Sequence, residues 1–177
     1  MALWGMEFLE AVKKTTGGEI IDESGRGSRR DTEFRPFPRL MADYKKHYVK
    51  VDFIDYDRLL IEVNVTPPHR LLLLPETFVS KTLDKFGLSA EVKIGVDDFD
   101  SKYLIQYAEA ELAKKTLDAK FREIFNKLEP VFEFELTDKE FRLIKLVDIE
   151  KDYSPKSALA DLETMIEISD HVVGMNK

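Results

Sequence analysis

The sequence predicts an α+β fold: a mainly antiparallel sheet built from hairpins, with helices packed on one face. Two patterns carry that expectation. Strand-length stretches that alternate polar and apolar residues come in adjacent pairs, at 49–65 and again at 132–147. Helix-length stretches, with apolar residues three and four apart, stand before, between and after those pairs. They do not alternate with single strands as a βαβ series requires. A third observation bounds the architecture: 177 residues fit one ordinary domain, and 44% apolar residues, twelve Phe among them, are enough to fill its core. The element count that follows is about six to seven strands and four or five helices.

Residues 2–15 read as a helix, because Trp4, Phe8 and Val12 recur at i, i+4 and i+8 beside Leu9, and Gly17-Gly18 ends it. Residues 16–44 read as a long irregular segment, with Gly17, Gly18, Gly25, Gly27, Pro36 and Pro38 set among arginines. A connection of that length without structure of its own is usually functional or disordered. Phe34-Arg35-Pro36-Phe37-Pro38 is extended, since the residue before each Pro is pushed out of the α region. The first hairpin follows, with Val49, Val51 and Phe53 on one strand, Leu59, Ile61, Val63 and Val65 on the other, and Asp55-Tyr56-Asp57 at the turn. Pro67-Pro68 stops the second strand, and 69–74 runs as a buried third. Pro75 suits the first position of a helix whose inner face is Val79, Leu83 and Phe86.

Residues 91–94 read as a short strand, 95–98 as a loop, and 102–107 as a strand with Tyr103, Ile105 and Tyr107 on one side. A helical stretch from 109 to 129 turns Leu117, Phe121, Ile124 and Leu128 inward, and Asp118 can cap a fresh helix within it. Pro130 ends that stretch. Strands at 132–136 and 141–147 make the second hairpin, and a helix at 157–173 closes the chain, with Leu159, Leu162, Ile166 and Val173 inward.

Composition excludes several kinds of chemistry. The chain has no cysteine, which removes disulfides, thiol nucleophiles and thiolate metal sites. No spacing pairs His47, His69 or His171 with a group that would orient it as a base. No stretch approaches the roughly 18 apolar residues of a membrane span. Glu7 and Glu10 interrupt the opening apolar stretch as they would not in a signal peptide, so a cytoplasmic location is expected. One Gln and three Asn against 34% charged residues is the balance reported for hyperthermophile proteins, which predicts a thermophilic source.

Charge is unevenly placed. Residues 1–90 carry 14 basic and 14 acidic groups, whereas 91–177 carry 13 and 20, so the whole net charge of -7 sits in the second half. Residues 26–50 hold eight basic groups against three acidic ones. Arg29, Arg30, Arg35 and Arg39 in that stretch are candidates to bind an anion, since a guanidinium grips phosphate or carboxylate bidentately. Asp97, Asp98 and Asp100 are metal candidates, because three carboxylates in four residues can hold a hard cation such as Mg²⁺ or Ca²⁺. The alternative for the acidic cluster is that Asp98 or Asp100 shapes the turn by accepting backbone amides while Phe99 anchors it. An acidic chain is poorly suited to nucleic acid.

Gly95-Val96-Asp97-Asp98-Phe99-Asp100-Ser101-Lys102-Tyr103-Leu104-Ile105 resembles a motif of an uncharacterised prokaryotic family. In that family a Gly and an acidic turn precede Phe-Asp, then a basic-aromatic-aliphatic strand, then a helix rich in Ala and Leu. Here 108–117 and 121–128 stand where the helical part falls, and 132–136 with 141–146 match its closing hairpin, so the likeness runs from about Tyr48 to Val147. The resemblance implies a region that is often the soluble tail of membrane-anchored proteins, with Phe99 in the core and Asp100 capping the turn. It implies no established activity, and no cofactor is expected for the chain.

The functional expectation is a non-catalytic α+β module that binds a protein partner or small ligand, with a homodimer among its arrangements. The hairpin edges and the Arg-rich segment are its expected surfaces. The alternative is an enzyme acting on an anionic substrate, with the Arg-rich loop holding the anion and the acidic turn holding a metal.

Overall fold

The computed structural model describes residues 3–22, 37–77, 91–107, 109–149 and 151–175. In chain order they form helix α1 (Leu3–Thr16), strands β1 (Glu19–Ile21), β2 (Arg39–Tyr44), β3 (His47–Phe53), β4 (Arg58–Asn64) and β5 (Leu71–Pro75). The one-turn helix α2 (Asp97–Asp100), strand β6 (Tyr103–Tyr107) and helices α3 (Ala110–Thr116) and α4 (Ala119–Phe125) follow. A 3₁₀ turn (Asn126–Leu128), strands β7 (Glu133–Leu136) and β8 (Phe141–Leu146), and helix α5 (Pro155–Gly174) complete the chain.

The strands make one sheet in the order β1-β2-β3-β4-β8-β7-β5-β6, and every neighbouring pair is antiparallel. The α+β fold read from the sequence is the fold of the structure. The hairpin of β7 and β8 is inserted between β4 and β5. Pro67 and Pro68 prevent β4 from turning straight back on itself, and β8 takes the vacant edge, pairing Val63 with Phe141 and Leu59 with Lys145.

Helices α1, α4 and α5 cover one face of the sheet, and the core lies beneath them. Leu59, Ile61, Val63, Leu71, Leu73, Phe134, Phe141 and Leu143 point into it from the central strands. An aromatic cluster fills the end under α4: Phe125 lies 5.1 Å from Phe134, 5.6 Å from Phe121 and 5.3 Å from Tyr103, ring centre to ring centre. Helix α5 starts with a capping box between Ser154 and Ser157 and a Pro in its first turn. Asp118 does split the helical stretch: its carboxylate accepts the Phe121 amide at 2.7 Å and starts α4.

The opposite face carries a row in which Met41, Lys50, Glu62, Arg142, Glu135, Leu72 and Gln106 are successive register partners. Within it Lys50 bonds Glu62 at 2.5 Å, and Arg142 donates to Glu62 and to Glu135, each at 3.1 Å. Leu72, Leu74 and Leu104 form a small apolar cluster on the same face.

Several readings from sequence are corrected: the sheet has eight strands where six to seven were expected, and the stretch read as a loop at 95–98 runs into helix α2 at Asp97. Within the segment read as irregular, Glu19–Ile21 and Arg39–Tyr44 are strands, because β2 finds β3 and β1 finds β2; residues 23–36 lie outside the described residues. Residues 91–94 contribute only a bridge from Glu91 to Gln106 and a bond from the Val92 amide to the Ile105 carbonyl at 2.8 Å. Pro75 itself closes β5, opposite Tyr103, and a 3₁₀ turn follows it at Glu76 and Thr77. The Glu76 amide points to β6, donating to the Lys102 carbonyl at 2.9 Å. Alternation therefore turns the Pro75 nitrogen towards β7, whose pairing stops at Leu73, so the missing N–H breaks no ladder bond there. Val79, Leu83 and Phe86 lie outside the described residues.

Candidate functional site

The acidic turn is organised around one residue. The Asp100 carboxylate accepts the amides of Ile94 at 3.0 Å, Gly95 at 2.8 Å and Val96 at 3.1 Å. Gly95 makes the bend with φ +82°. Phe99 is buried against Tyr103, 5.0 Å between ring centres. Asp97 and Asp98 are exposed in α2. Among the described residues no group of three His, Asp or Glu side chains is placed to hold a metal ion.

The arginine set is not brought together among the described residues. Arg29, Arg30 and Arg35 lie outside them. Arg39 opens β2 across from Asp52, half-buried on the sheet face opposite the helices.

The histidines stand apart. His47 is 3.1 Å from Asp170, and His171 is 3.0 Å from Asp118. His69 packs its ring 6.0 Å from that of Tyr107. In the core, Lys145 and the Tyr153 hydroxyl both meet the Asp161 carboxylate, at 2.9 and 2.6 Å. Burial first, then the Asp161 charge, pushes the Tyr153 hydroxyl far above its ordinary pKa.

Two concavities lie at the end of the sheet where β5 stops and β6 begins. The larger, about 690 Å³, is walled by residues 75–77, 101–103 and 129–131. The chain reaches its third wall through a cis Glu129-Pro130 peptide. Pro75, Tyr103, Pro130 and Val131 make the walls largely apolar, and Glu76, Lys102 and Glu129 bring charge to them. The Tyr103 hydroxyl donates to Glu129 at 3.0 Å and Lys102 reaches the same oxygen at 3.2 Å. Burial, then the Glu129 carboxylate, raises the Tyr103 hydroxyl well above its usual pKa, so it stays a donor. The smaller concavity, about 250 Å³, lies between α2 and α4 and shares Lys102 with the first.

Neither concavity follows from a motif. Pro130 reads from sequence as a helix stop, and Lys102 and Tyr103 as strand positions. Their meeting depends on β5, β6 and the end of the α4 segment converging, which no local spacing encodes.

No protein-family model matches the chain, and no curated protein does. Among solved structures, the chain is similar to the crystal structure of the mycobacterial trehalose monomycolate transport factor A, TtfA. The TM-score is 0.68 at 9% identity, over 96% of this chain and 94% of that one. The two share a fold over nearly their whole lengths. Among the described residues no helix is long and apolar enough to cross a membrane.

Proposed function

We propose that the chain is a non-catalytic binding module whose ligand, a small and largely apolar molecule, sits in the groove beside Tyr103. The observation that carries this reading is how polar and apolar groups are divided. Asp100, Asp118, Asp161 and Glu62 are engaged by backbone amides, histidine or basic side chains. His47 and His171 each face a different aspartate. The groove, by contrast, combines apolar walls with a few convergent polar groups and about 690 Å³ of space, the size of a small-molecule site. The structural neighbour is a transport factor, and a shared fold supports the same broad kind of role here without supplying its cargo. The resemblance of 48–147 to soluble tails of membrane-anchored proteins fits that role.

A fluorescence titration with the neutral dye Nile red tests the reading. The native protein is expected to bind one equivalent saturably. Ser101→Trp, which fills the groove from an exposed turn, is expected to weaken binding about tenfold or more while leaving the melting temperature unchanged. Equal binding by the variant refutes the groove as the site.

A further inference from the structure

Arg122 stands out among the described arginines. Arg58 pairs with Asp55, Arg70 with Asp138, and Arg142 with Glu62 and Glu135. Arg122 has no carboxylate partner among the described residues. Its Nη1 donates to the Leu117 carbonyl at 2.5 Å, which fixes the guanidinium without neutralising it. The half-buried side chain lines the smaller concavity, with Lys102 and Asn126 beside it and Phe99 as an apolar surface.

Two cations therefore line this niche against one carboxylate, Asp98, which is exposed and screened by solvent. The second carboxylate within reach is Glu129, which holds Lys102 at 3.2 Å and is itself engaged by the Tyr103 hydroxyl. Arg122 keeps Nε and Nη2 for an oxyanion, and the amide of Asn126, one turn further on, adds a neutral donor. Lys102 lines both concavities, so the cationic niche and the apolar groove adjoin.

We propose that the niche binds an anionic head group, carboxylate or phosphate, of an amphiphile whose apolar chain lies in the groove. The proposal rests on the groove being a ligand site, as argued above. Arg122 and Lys102 neutralise the head, Asn126 donates to it, and the walls from Pro75 to Val131 take the chain. An uncharged chain uses the groove alone, and a cationic head is rejected by Arg122.

Calorimetric titration separates the parts. Octanoate, octyl phosphate, octanol and octyltrimethylammonium, all below their micelle concentrations, are titrated into the native protein, Arg122→Gln and Asn126→Asp. Asn126→Asp keeps the bond from Arg122 to Leu117 and sets a carboxylate in the niche. The expected result is one-to-one binding of the two anions, tighter than octanol. Each variant should weaken the anions about tenfold or more, the scale of a lost charged hydrogen bond, with octanol unchanged. Anion affinity unaffected by both variants, or octyltrimethylammonium bound as tightly as octanoate, overturns the head-group assignment while the groove reading stands. If neither octanol nor Nile red binds the native protein, the groove reading falls and this one with it. If inorganic phosphate binds as tightly as octyl phosphate, the niche takes a free anion and the amphiphile is refuted.

Discussion

The Lys145 ammonium lies 2.9 Å from the Asp161 carboxylate beneath α5, with both side chains enclosed. Lys145 follows Phe141 and Leu143 on the inward side of β8, where alternation calls for an apolar residue. The Tyr153 hydroxyl donates to the same carboxylate oxygen, and the ammonium sits 5.6 Å from the centre of the Tyr153 ring. Breaking such a pair strands a charge without solvent. Asp161→Ala is therefore expected to cost about 3–5 kcal/mol in urea unfolding. Replacing all three groups at once, with Lys145→Met, Tyr153→Phe and Asp161→Leu, leaves nothing polar to desolvate. That variant should return to within about 1 kcal/mol of the native protein. A triple variant as weak as the single one would show that the pair stabilises the fold beyond its own satisfaction.

The acidic turn gives a contrast between neighbours. Asp100 holds three backbone amides, whereas Asp98 is exposed and accepts none among the described contacts of its carboxylate. Asp100→Ala is expected to destabilise the protein by about 2–3 kcal/mol and Asp98→Ala by no more than about 0.5 kcal/mol. With the Asp100 oxygens engaged, Mg²⁺, Mn²⁺ and Ca²⁺ should leave the melting temperature where it was. A cation that raises it at submillimolar concentration would reinstate the turn as a metal site.

What could be read from the sequence followed local physics. The hairpin of β3 and β4 is written in Val49, Val51 and Phe53 because one sheet face is dry, and the start of α4 is written in Asp118 because its carboxylate needs only the next turn. The hairpin of β2 and β3 is not written locally. Lys45 and Lys46 form its turn with φ +49° and +70°, where Asn-Gly is the usual choice. Contacts from α5 hold it: Glu163 meets the Tyr44 hydroxyl at 2.9 Å and Lys45 at 2.6 Å. The site was illegible for the same reason. Arg122, Lys102 and Tyr103 meet only through strand order, and no spacing between them carries the chemistry.

Glu140 links the charged row of the outer face to pH. Burial first, then the Glu62 charge, raises its carboxyl above the ordinary glutamate value, although Arg142 and Lys50 pull the other way. The folded protein thus holds this proton more tightly than the unfolded chain. The stability it contributes is fully present below the unfolded value of about 4.3 and is lost as pH rises through the folded value. Glu140→Gln removes the loss. The variant should be the more stable protein at about pH 7, and its lead should shrink towards about pH 4 when unfolding midpoints are compared. A lead that stays constant with pH would assign the effect to packing and not to charge.

The junction of α1 and β1 sets two adjacent glycines against each other. Both take left-handed backbone, Gly17 at φ +70° and Gly18 at φ +90°, so both incur the conformational cost of a side chain, about 1 kcal/mol. Only Gly18 also meets a wall. A Cβ there would stand 2.2 Å from the Met41 carbonyl oxygen and 2.6 Å from the Ala42 Cβ, whereas one at Gly17 meets nothing within 4 Å. The obstruction is backbone of β2, which cannot rotate aside as a side-chain end could. Gly17→Ala should cost about 1 kcal/mol in urea unfolding and Gly18→Ala about 3 kcal/mol or more, because β1 must leave β2 to make room. Since β1 is three residues long and pairs with β2 alone among the described residues, that loss should also abolish hydrogen-exchange protection at Ile21 while sparing β4. Equal losses at the two glycines would mean that the connection stands off from β2.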